Sequence, residues 1–338
     1  MVDGLKAMGA APFIVPAMGS HGGATAEGQR ELIAGYGVTE ATMGVPVVSS
    51  MATTVIGETE GGIPIHVSTD ALAADLIVPV ARVKPHTDFR GPVESGLCKM
   101  LAVGLAKHVG CSRLHREGFA RFGELIPDVA ARILERTKVG FGIAIVENAY
   151  DETARIEAVP GTDFLRREPE LLAEAKRLMA RILLPAIDVL VIERIGKDIS
   201  GSGMDSNIVG RTVKGTLPGY DGPEIKRIVV LGLTEATHGN AIGIGLADFT
   251  IDEAVARIDR DFTYANSIAS GNPEAGRIPI ALADEAEAIR AALGCTPGVD
   301  LARPRIVRIA NTLSIGTIEV SEALLDDVRR EPRLVVDA

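Results

Sequence analysis

The chain contains no tryptophan, four tyrosines and eight phenylalanines, so aromatic residues make up 4% of it. Its cores must therefore be built mainly from Ala, Val, Ile and Leu. Cysteine is scarce too. Cys98, Cys111 and Cys295 are an odd number without CxxC spacing, which excludes a disulfide framework and fits a reducing cytoplasm. Cys98 and Cys111 read first as small buried hydrophobes. Cationic blocks are also missing: the formal net charge is −10 and no run of five basic residues occurs. Nucleic acid is thereby excluded as an expected partner, because phosphate neutralisation needs clustered Lys and Arg. No apolar run approaches the ~18 residues of a membrane span, so no membrane partner is expected. The opening residues lack a charged segment followed by an apolar one, so no signal peptide is expected.

What is present is apolar material in abundance. Hydrophobic residues make up 46% and charged residues 24% of 338 residues, an ordinary globular balance with length for about two domains. Short apolar runs alternate with amphipathic stretches, which predicts an α/β fold of two α/β domains with mostly parallel sheets. Val2 to Met8 reads as the end of a helix. Strands are expected at 12–17, 45–48, 53–58, 63–68, 74–83, 139–146 and 155–160, and helices at 26–36, 107–122, 125–136 and 168–182. Pro185 marks a boundary, giving domains 1–185 and 186–338. Beyond it strands are expected at 188–194, 227–233, 278–282 and 305–310, and helices at 252–260, 284–293 and 321–330. The last helix is a candidate to pack back on the first domain. A doubly wound domain normally opens on a strand, whereas this chain opens in a helix. The first strand is thus expected to be missing, leaving a sheet edge uncovered. There is no internal repeat and no low-complexity segment.

Chemistry-bearing residues concentrate between positions 82 and 116, RVKPHTDFRGPVESGLCKMLAVGLAKHVGCSRLHR. The segment follows a buried-strand pattern, so it should begin at the carboxyl end of a parallel sheet, where α/β folds bind ligands. It holds His86, His108 and His115 with Lys84, Lys99, Lys107, Arg90 and Arg113. This local excess of cations in an acidic chain points to a small anion such as a carboxylate or phosphate. His86 after Pro85 suits a general base, or a loop histidine with a structural hydrogen bond. His108 and His115 are seven apart and would share a helix face; neither belongs to an HExxH pair. Lys99 among Leu97, Cys98, Met100 and Leu101 either reaches solvent, pairs with Glu94, or has a chemical reason to be buried.

A second constellation, Gly19-Ser20-His21-Gly22-Gly23-Ala24-Thr25, joins a strand to a helix. Its backbone N–H groups could cradle an anion, although it matches neither the Walker loop nor GxGxxG; simple turn chemistry is the plain alternative. In the second half, Lys197 in GKDISGSGMD, Arg211, Lys214 and His238 in THGN sit in loops after expected strands. Such loops are usually surface loops and nothing more.

Taken together, PAMGSHGGATAEGQ, KPHTDFRG, ESGLCKMLAVGLAKH, GKDISGSGMD and ATHGNAIGIGLADF resemble, in order and spacing, the lactate racemase family that uses a nickel-pincer nucleotide. The similarity is to its shorter homologues. The stretch from His86 to Lys99 is longer here than in the founding enzyme, and the family's first strand and arginine-bearing loop have no counterpart before Met1. The resemblance implies a racemase or epimerase of a 2-hydroxy acid or sugar acid, working by hydride and proton transfer in an interdomain cleft. It implies a nickel-pincer nucleotide on Lys99, nickel held by His115, and His21 and His86 as catalytic acid and base. Ser20, Gly22, Gly23 and Thr25 would touch the cofactor. Lys84, Arg90, Lys197, Arg211, Lys214 and His238 would be candidates to hold the substrate carboxylate. The cofactor is expected to be absent from protein made in a host lacking its pathway. Assembly is left open, with a homodimer as one candidate. Two other readings remain: a zinc-type hydrolase using His21, His86 and His115 directly, and a non-catalytic anion- or nucleotide-binding protein.

Overall fold

The computed structural model describes residues 1–337. Two compact units divide the chain, one formed by Met1–Glu147 with Thr153–Arg177, the other by Asn148–Glu152 with the chain from Leu178 onward.

The first unit opens with α1 (Val2–Ala7). The expected strand over 12–17 is a single parallel bridge, Ile14 to Val47. Pro12 and Pro16 have no N–H to give a ladder, and the Pro16 carbonyl accepts a side-chain bond from Lys107 Nζ at 2.7 Å. The same bridge replaces the strand expected at 45–48. Next come α2 (Ala26–Gly35), α3 (Glu40–Met43), the hairpin β1 (Thr53–Glu58) and β2 (Pro64–Ser68), and α4 (Thr69–Leu72). The strand expected over 74–83 shortens to β3 (Val80–Arg82), because Pro79 interrupts its N–H row. The chain still follows its neighbour, since Pro79 O accepts from Ile143 N at 2.8 Å. β3 pairs in parallel with β4 (Phe141–Glu147), which pairs antiparallel with β5 (Thr153–Pro160).

The helical part of this unit runs as α5 (Leu97–Lys99), a π-helical turn Met100–Gly104 and α6 (Lys107–His115). A continuous helix to Phe122 was expected; Gly118, at φ 78°, ends it. α7 (Phe122–Arg136) and α8 (Phe164–Leu178) follow. α7 buries Phe122, Leu125, Ile126, Val129, Ala130 and Ile133 on one stripe, the 3.6-residue periodicity of an amphipathic helix.

The second unit is built on a six-stranded sheet of order β11-β10-β9-β6-β12-β13. Its members are β6 (Ala186–Ile192), β9 (Glu224–Val230), β10 (Phe249–Ile251), β11 (Ile280–Leu282), β12 (Ile306–Ile309) and β13 (Glu319–Val320). All neighbours are parallel except β13, an antiparallel edge. A small hairpin, β7 (Arg211–Thr212) and β8 (Gly215–Thr216), precedes β9. The short β7, β8, β10 and β13 carry no readable alternation and escape the sequence patterns. Central β6 is buried on both faces, as parallel strands under helices are. Ile187, Leu190 and Ile192 join one apolar cluster, and Val189 and Val191 join the other. α12 (Glu285–Gly294) covers the latter with Ala288 and Ala292.

α9 (Ser206–Val209), α10 (Asp252–Ala256) and α11 (Arg260–Ala269) complete the connections. The final α13 (Leu325–Arg330) packs on its own unit, where Leu324 and Val328 join the cluster around Ile187. From β6 the strand order runs outward through β9, β10 and β11, then returns to β12 on the other flank. Such a reversal opens a crevice at the strand ends. There Asp205 N donates to Thr312 Oγ1 at 2.9 Å, tying the loops after β6 and β12 together. Among the described residues no helix is long and apolar enough to cross a membrane.

Candidate functional site

Lys99 and His115 stand on either side of the π-helical turn. π-turns recur at functional sites because the inserted residue re-aims the side chains around it. This turn is buried from Leu101 to Gly104 and lies on the chain entering the glycine loop: a Cβ on Gly104 would fall 2.5 Å from Ala17 O. Only glycine allows that approach.

His115 is fixed from within its own helix. Its Nδ1 lies 2.7 Å from Cys111 O, and a carbonyl only accepts, so Nδ1 carries the proton. Nε2 is left with the lone pair, the arrangement of a ligand histidine held by a carbonyl behind it. Cys111 Sγ sits 3.5 Å from the same Nδ1 and 3.7 Å from Ser20 Oγ. Burial pulls the His115 imidazolium down, but the neighbouring thiol outweighs it and the net shift is upward. For Cys111 burial pushes up, and the bonds from His115 and Ser20 bring it net down.

His86 is held by its backbone. Its N–H donates to Glu94 Oε2 at 2.7 Å, and its carbonyl accepts from Arg90 at 2.6 Å. Glu94 is fully buried and also takes Lys176 Nζ at 2.7 Å and Arg90 at 3.3 Å. The pairing of Glu94 with Lys99 weighed from the sequence does not form; Lys176 of α8 takes that place. Asp88 N donates to His86 Nδ1 at 3.0 Å, so the neutral ring carries its proton on Nε2. Burial first, then the charges of Lys99, His115, Arg90 and Lys84, push His86 well below the usual imidazole range. The loop lies on α7 where Gly91 meets Gly123: a Cβ on Gly123 would come within 2.4 Å of Arg90 O.

Three of the eight phenylalanines join the two imidazoles. His86 packs 4.4 Å from Phe89 and 5.7 Å from Phe119, ring centre to ring centre. His115 packs 5.4 Å from Phe119 and 5.0 Å from Phe122. Lys99 Nζ lies 6.0 Å from the Phe89 ring centre, within cation–π range. No hydrogen bond or ion pair reaches this amine among the described residues. Burial lowers its pKa to about 8, with Asp88 opposing and Lys84 assisting. His86, Lys99 and His115 thus share one corner of the first unit.

The glycine loop is anchored to this corner from behind. Fully buried Lys107 donates to Gln29 Oε1 at 3.2 Å as well as to Pro16 O. Gln29 Nε2 donates in turn to Gly19 O at 2.8 Å and His21 O at 3.4 Å. Ser20 touches Cys111, so the loop carrying His21 lies against the helix carrying His115; the His21 side chain is exposed. Thr25 is the N-cap of α2, accepting from Gly28 N at 3.0 Å. A Cβ on Gly22 would lie 2.5 Å from Gln29 N, so Gly22 seats the loop on α2, whereas Gly23 faces open space. Lys84 is exposed, and its backbone bridges Ser95.

In the second unit, Lys197 and His238 lie in loops after β6 and β9 that Lys197 N joins by donating to Thr237 Oγ1 at 3.3 Å. Desolvation lowers the Lys197 pKa. His238 is exposed in a left-handed turn at φ 49°. Arg211 is a structural staple, bonded to Asp248 at 2.6 Å and to Leu246, Ile225 and Lys226 carbonyls. It lines a cavity of about 440 Å³ with Tyr220 and Asp248, and Lys214 is exposed nearby.

Sequence reading overlooked Gln29, Glu168 and the phenylalanines, and gave Glu94 and Lys107 no part in holding the loops. Glu168 is buried beneath α5, accepting from Cys98 N at 2.8 Å with Oε1 unpartnered. The one signal for the phenylalanines was their crowding at 89, 119 and 122 in an aromatic-poor chain. No group of three or more His, Cys, Asp or Glu able to hold a metal occurs among the described residues. His21, His86 and His115 therefore do not form the direct zinc site of the hydrolase reading.

No family model and no curated protein matches the chain. Among solved structures, it is similar to a Thermotoga maritima protein at 14% identity and TM-score 0.49, over 78% of this chain and 70% of that one. It is also similar to the lactate racemase apoprotein of Thermoanaerobacterium thermosaccharolyticum at 13% identity and TM-score 0.45, over 82% of this chain and 80% of that one.

Proposed function

We propose that the chain is an isomerase, a racemase or epimerase of 2-hydroxy acids or sugar acids, with a nickel-pincer nucleotide joined to Lys99. The observation that carries this reading is the shared corner of Lys99, His86 and His115. A lysine amine without an ion pair is costly to bury as a cation, and attachment as an amide-like group removes the charge. The donor set fits the group: the Cys111 carbonyl leaves one His115 nitrogen free to hold a metal, and a tethered cofactor would supply the remaining ligands, so no three-residue metal cluster would be needed. When bound, that group would supply a hydride acceptor and donor at the hydroxyl-bearing carbon.

The chain's own residues would handle the protons and the substrate's charge. His86, neutral and protonated on Nε2, donates a hydrogen bond to the substrate oxygen. To act as a base toward that oxygen it must present Nε2 unprotonated, with the ring proton moved to Nδ1 in place of the Asp88 N–H bond, and Asp88 Oδ2, 3.8 Å from Nδ1, is the acceptor for that proton. His21 is the partner for the opposite face, because inversion needs a base on each side. The three phenylalanines exclude water around the imidazoles. In the unit that holds Lys99, Lys84 is the candidate for the carboxylate, since Arg90 is engaged by Glu94 and by carbonyls of the chain; in the second unit Arg211 is engaged by Asp248.

The test is mass spectrometry and metal analysis on protein from its native source. The expected result is added mass on the peptide containing Lys99 and about one nickel per chain. Lys99→Ala should abolish both, whereas His115→Ala should weaken nickel retention and keep the added mass. Isomerase activity in native-source protein with an unmodified Lys99 overturns the reading.

A further inference from the structure

We propose that Lys99, when unmodified, is a carbonyl-trapping site that takes up short 2-oxo acids as imines. The proposal borrows from the reading above only the class of ligand, and its test uses chain that carries neither cofactor nor nickel.

Three observations carry it. The first is a contrast between lysines. Lys107 is buried with its amine bonded to Pro16 O and Gln29 Oε1, and Lys176 and Lys226 are paired with Glu94 and Asp188. Lys99 has no such partner among the described residues, and the residue is half-buried. When the amine is neutral, its nitrogen lone pair is therefore not committed to another group of the chain.

The second is the pair of imidazoles beside it. In imine formation the amine nitrogen adds to the carbonyl carbon, and the adduct then loses water. Both nitrogen protons leave with the former carbonyl oxygen, so the step needs no oxidant or reductant. His86, whose ring packs 4.4 Å from the Phe89 ring that Lys99 Nζ approaches, carries a proton on Nε2 that can bond that oxygen as it departs. His115 presents an Nε2 lone pair that can take the proton coming off nitrogen.

The third is charge. Lys84 acts electrostatically on both His86 and Lys99 and forms no ion pair among the described residues, so it is the cation that a carboxylate next to the reacting carbonyl would meet. The depressed pKa of Lys99, about 8, adds free amine near neutral pH, where an ordinary lysine at about 10.4 has almost none. A 2-oxo acid held there would also occupy the nitrogen that cofactor attachment requires.

The experiment is reductive trapping. Chain with unmodified Lys99 is incubated with glyoxylate and cyanoborohydride near pH 7.5, and each lysine peptide is followed by mass. The Lys99 peptide should gain a carboxymethyl group on the order of tenfold faster than any other lysine peptide, because its amine is held by no partner and imidazoles stand near it to move protons. Acetaldehyde, which has no carboxylate, should label Lys99 several-fold more slowly than glyoxylate. Lys99→Arg should lose the fast site, and His86→Gln should slow it with the unfolding midpoint unchanged. Label spread over the lysines according to exposure overturns the proposal, as does equal labelling of Lys99 by acetaldehyde. Both arms are read on the unsubstituted chain, so neither depends on a variant folding. Neither depends on nickel, so failure here leaves the isomerase reading standing, and the reverse also holds.

Discussion

Glu168 carries a carboxylate into a fully buried position beneath the helix that bears Lys99. Burial raises its pKa to about 7, against the bonds from Cys98 and Leu97 that lower it. The folded chain therefore keeps a proton there that the unfolded chain releases near pH 4.5. Between those values the folded state binds more protons, so stability falls as pH rises and levels off above about 7. Glu168→Gln keeps an acceptor for Cys98 N–H and does not ionise. Its stability should be flat across that window, and above pH 7 it should exceed the parent by a few kcal/mol, on the order of 3. Urea unfolding at pH 5 and pH 8 checks this; equal slopes in both proteins would refute it. The sign for Lys99 is opposite. Its lowered pKa means that stability rises with pH from about 8 toward the ordinary lysine value. Lys99→Met should raise stability at pH 7 by about 1 kcal/mol, a small gain because the side chain is partly solvated, while removing every function proposed for the site. The closeness of His86, Lys99 and His115 was legible in the sequence because one short segment carries them. The burial of Glu168 and the clamping role of Glu94 were not, because carboxylates default to the surface. Their partners Cys98 and Lys176 lie 70 and 82 residues away.

At the scale of the element, two clamps hold the loops that bear the histidines. Glu94 gathers His86 N–H, Arg90 and Lys176 at one buried carboxylate. Removing one member of a buried ion pair typically costs 3–5 kcal/mol, so Glu94→Ala should destabilise by about 3 kcal/mol, measured by chemical denaturation. A loss below about 0.5 kcal/mol would mean that solvent already screens the cluster. Lys107 is the second clamp. It adopts a left-handed φ of 53°, strain that a non-glycine residue accepts only under constraint. Lys107→Met should leave Pro16 O and Gln29 unsatisfied and loosen the Gly19–His21 turn. Faster hydrogen exchange at the Gly19 amide, which donates to Gly104 O at 3.2 Å, is the expected readout; unchanged protection there would show that glycine packing alone holds the turn. The expected helices 26–36, 125–136 and 168–182 appear with small shifts at their ends, because an apolar stripe is a local signal. The strands over 12–17 and 74–83 shrank because prolines silence ladder donors that hydrophobicity alone suggests.

At the scale of the molecule, the second unit holds a parallel sheet whose central strand is buried on both faces. Its two apolar clusters draw on residues from Ile182 to Val328. A fragment spanning 178–337 should therefore unfold cooperatively, followed by circular dichroism in urea; a non-cooperative, molten profile would show that its cores are incomplete. The α/β class was readable from alternating elements. The return of β12 to the far flank of β6 was not, because strand order is a long-range property that periodicity does not encode.

One further consequence comes from the phenylalanines between His86 and His115. In a chain without tryptophan, an indole at this position would be the sole red-edge absorber. Phe119 is partly exposed and touches both imidazoles through its ring. Phe119→Trp would give a single optical reporter whose emission, excited beyond the tyrosine band, quenches or shifts when an anion, a metal or an adduct occupies the corner. Occupancy could then be followed in real time without knowing the substrate.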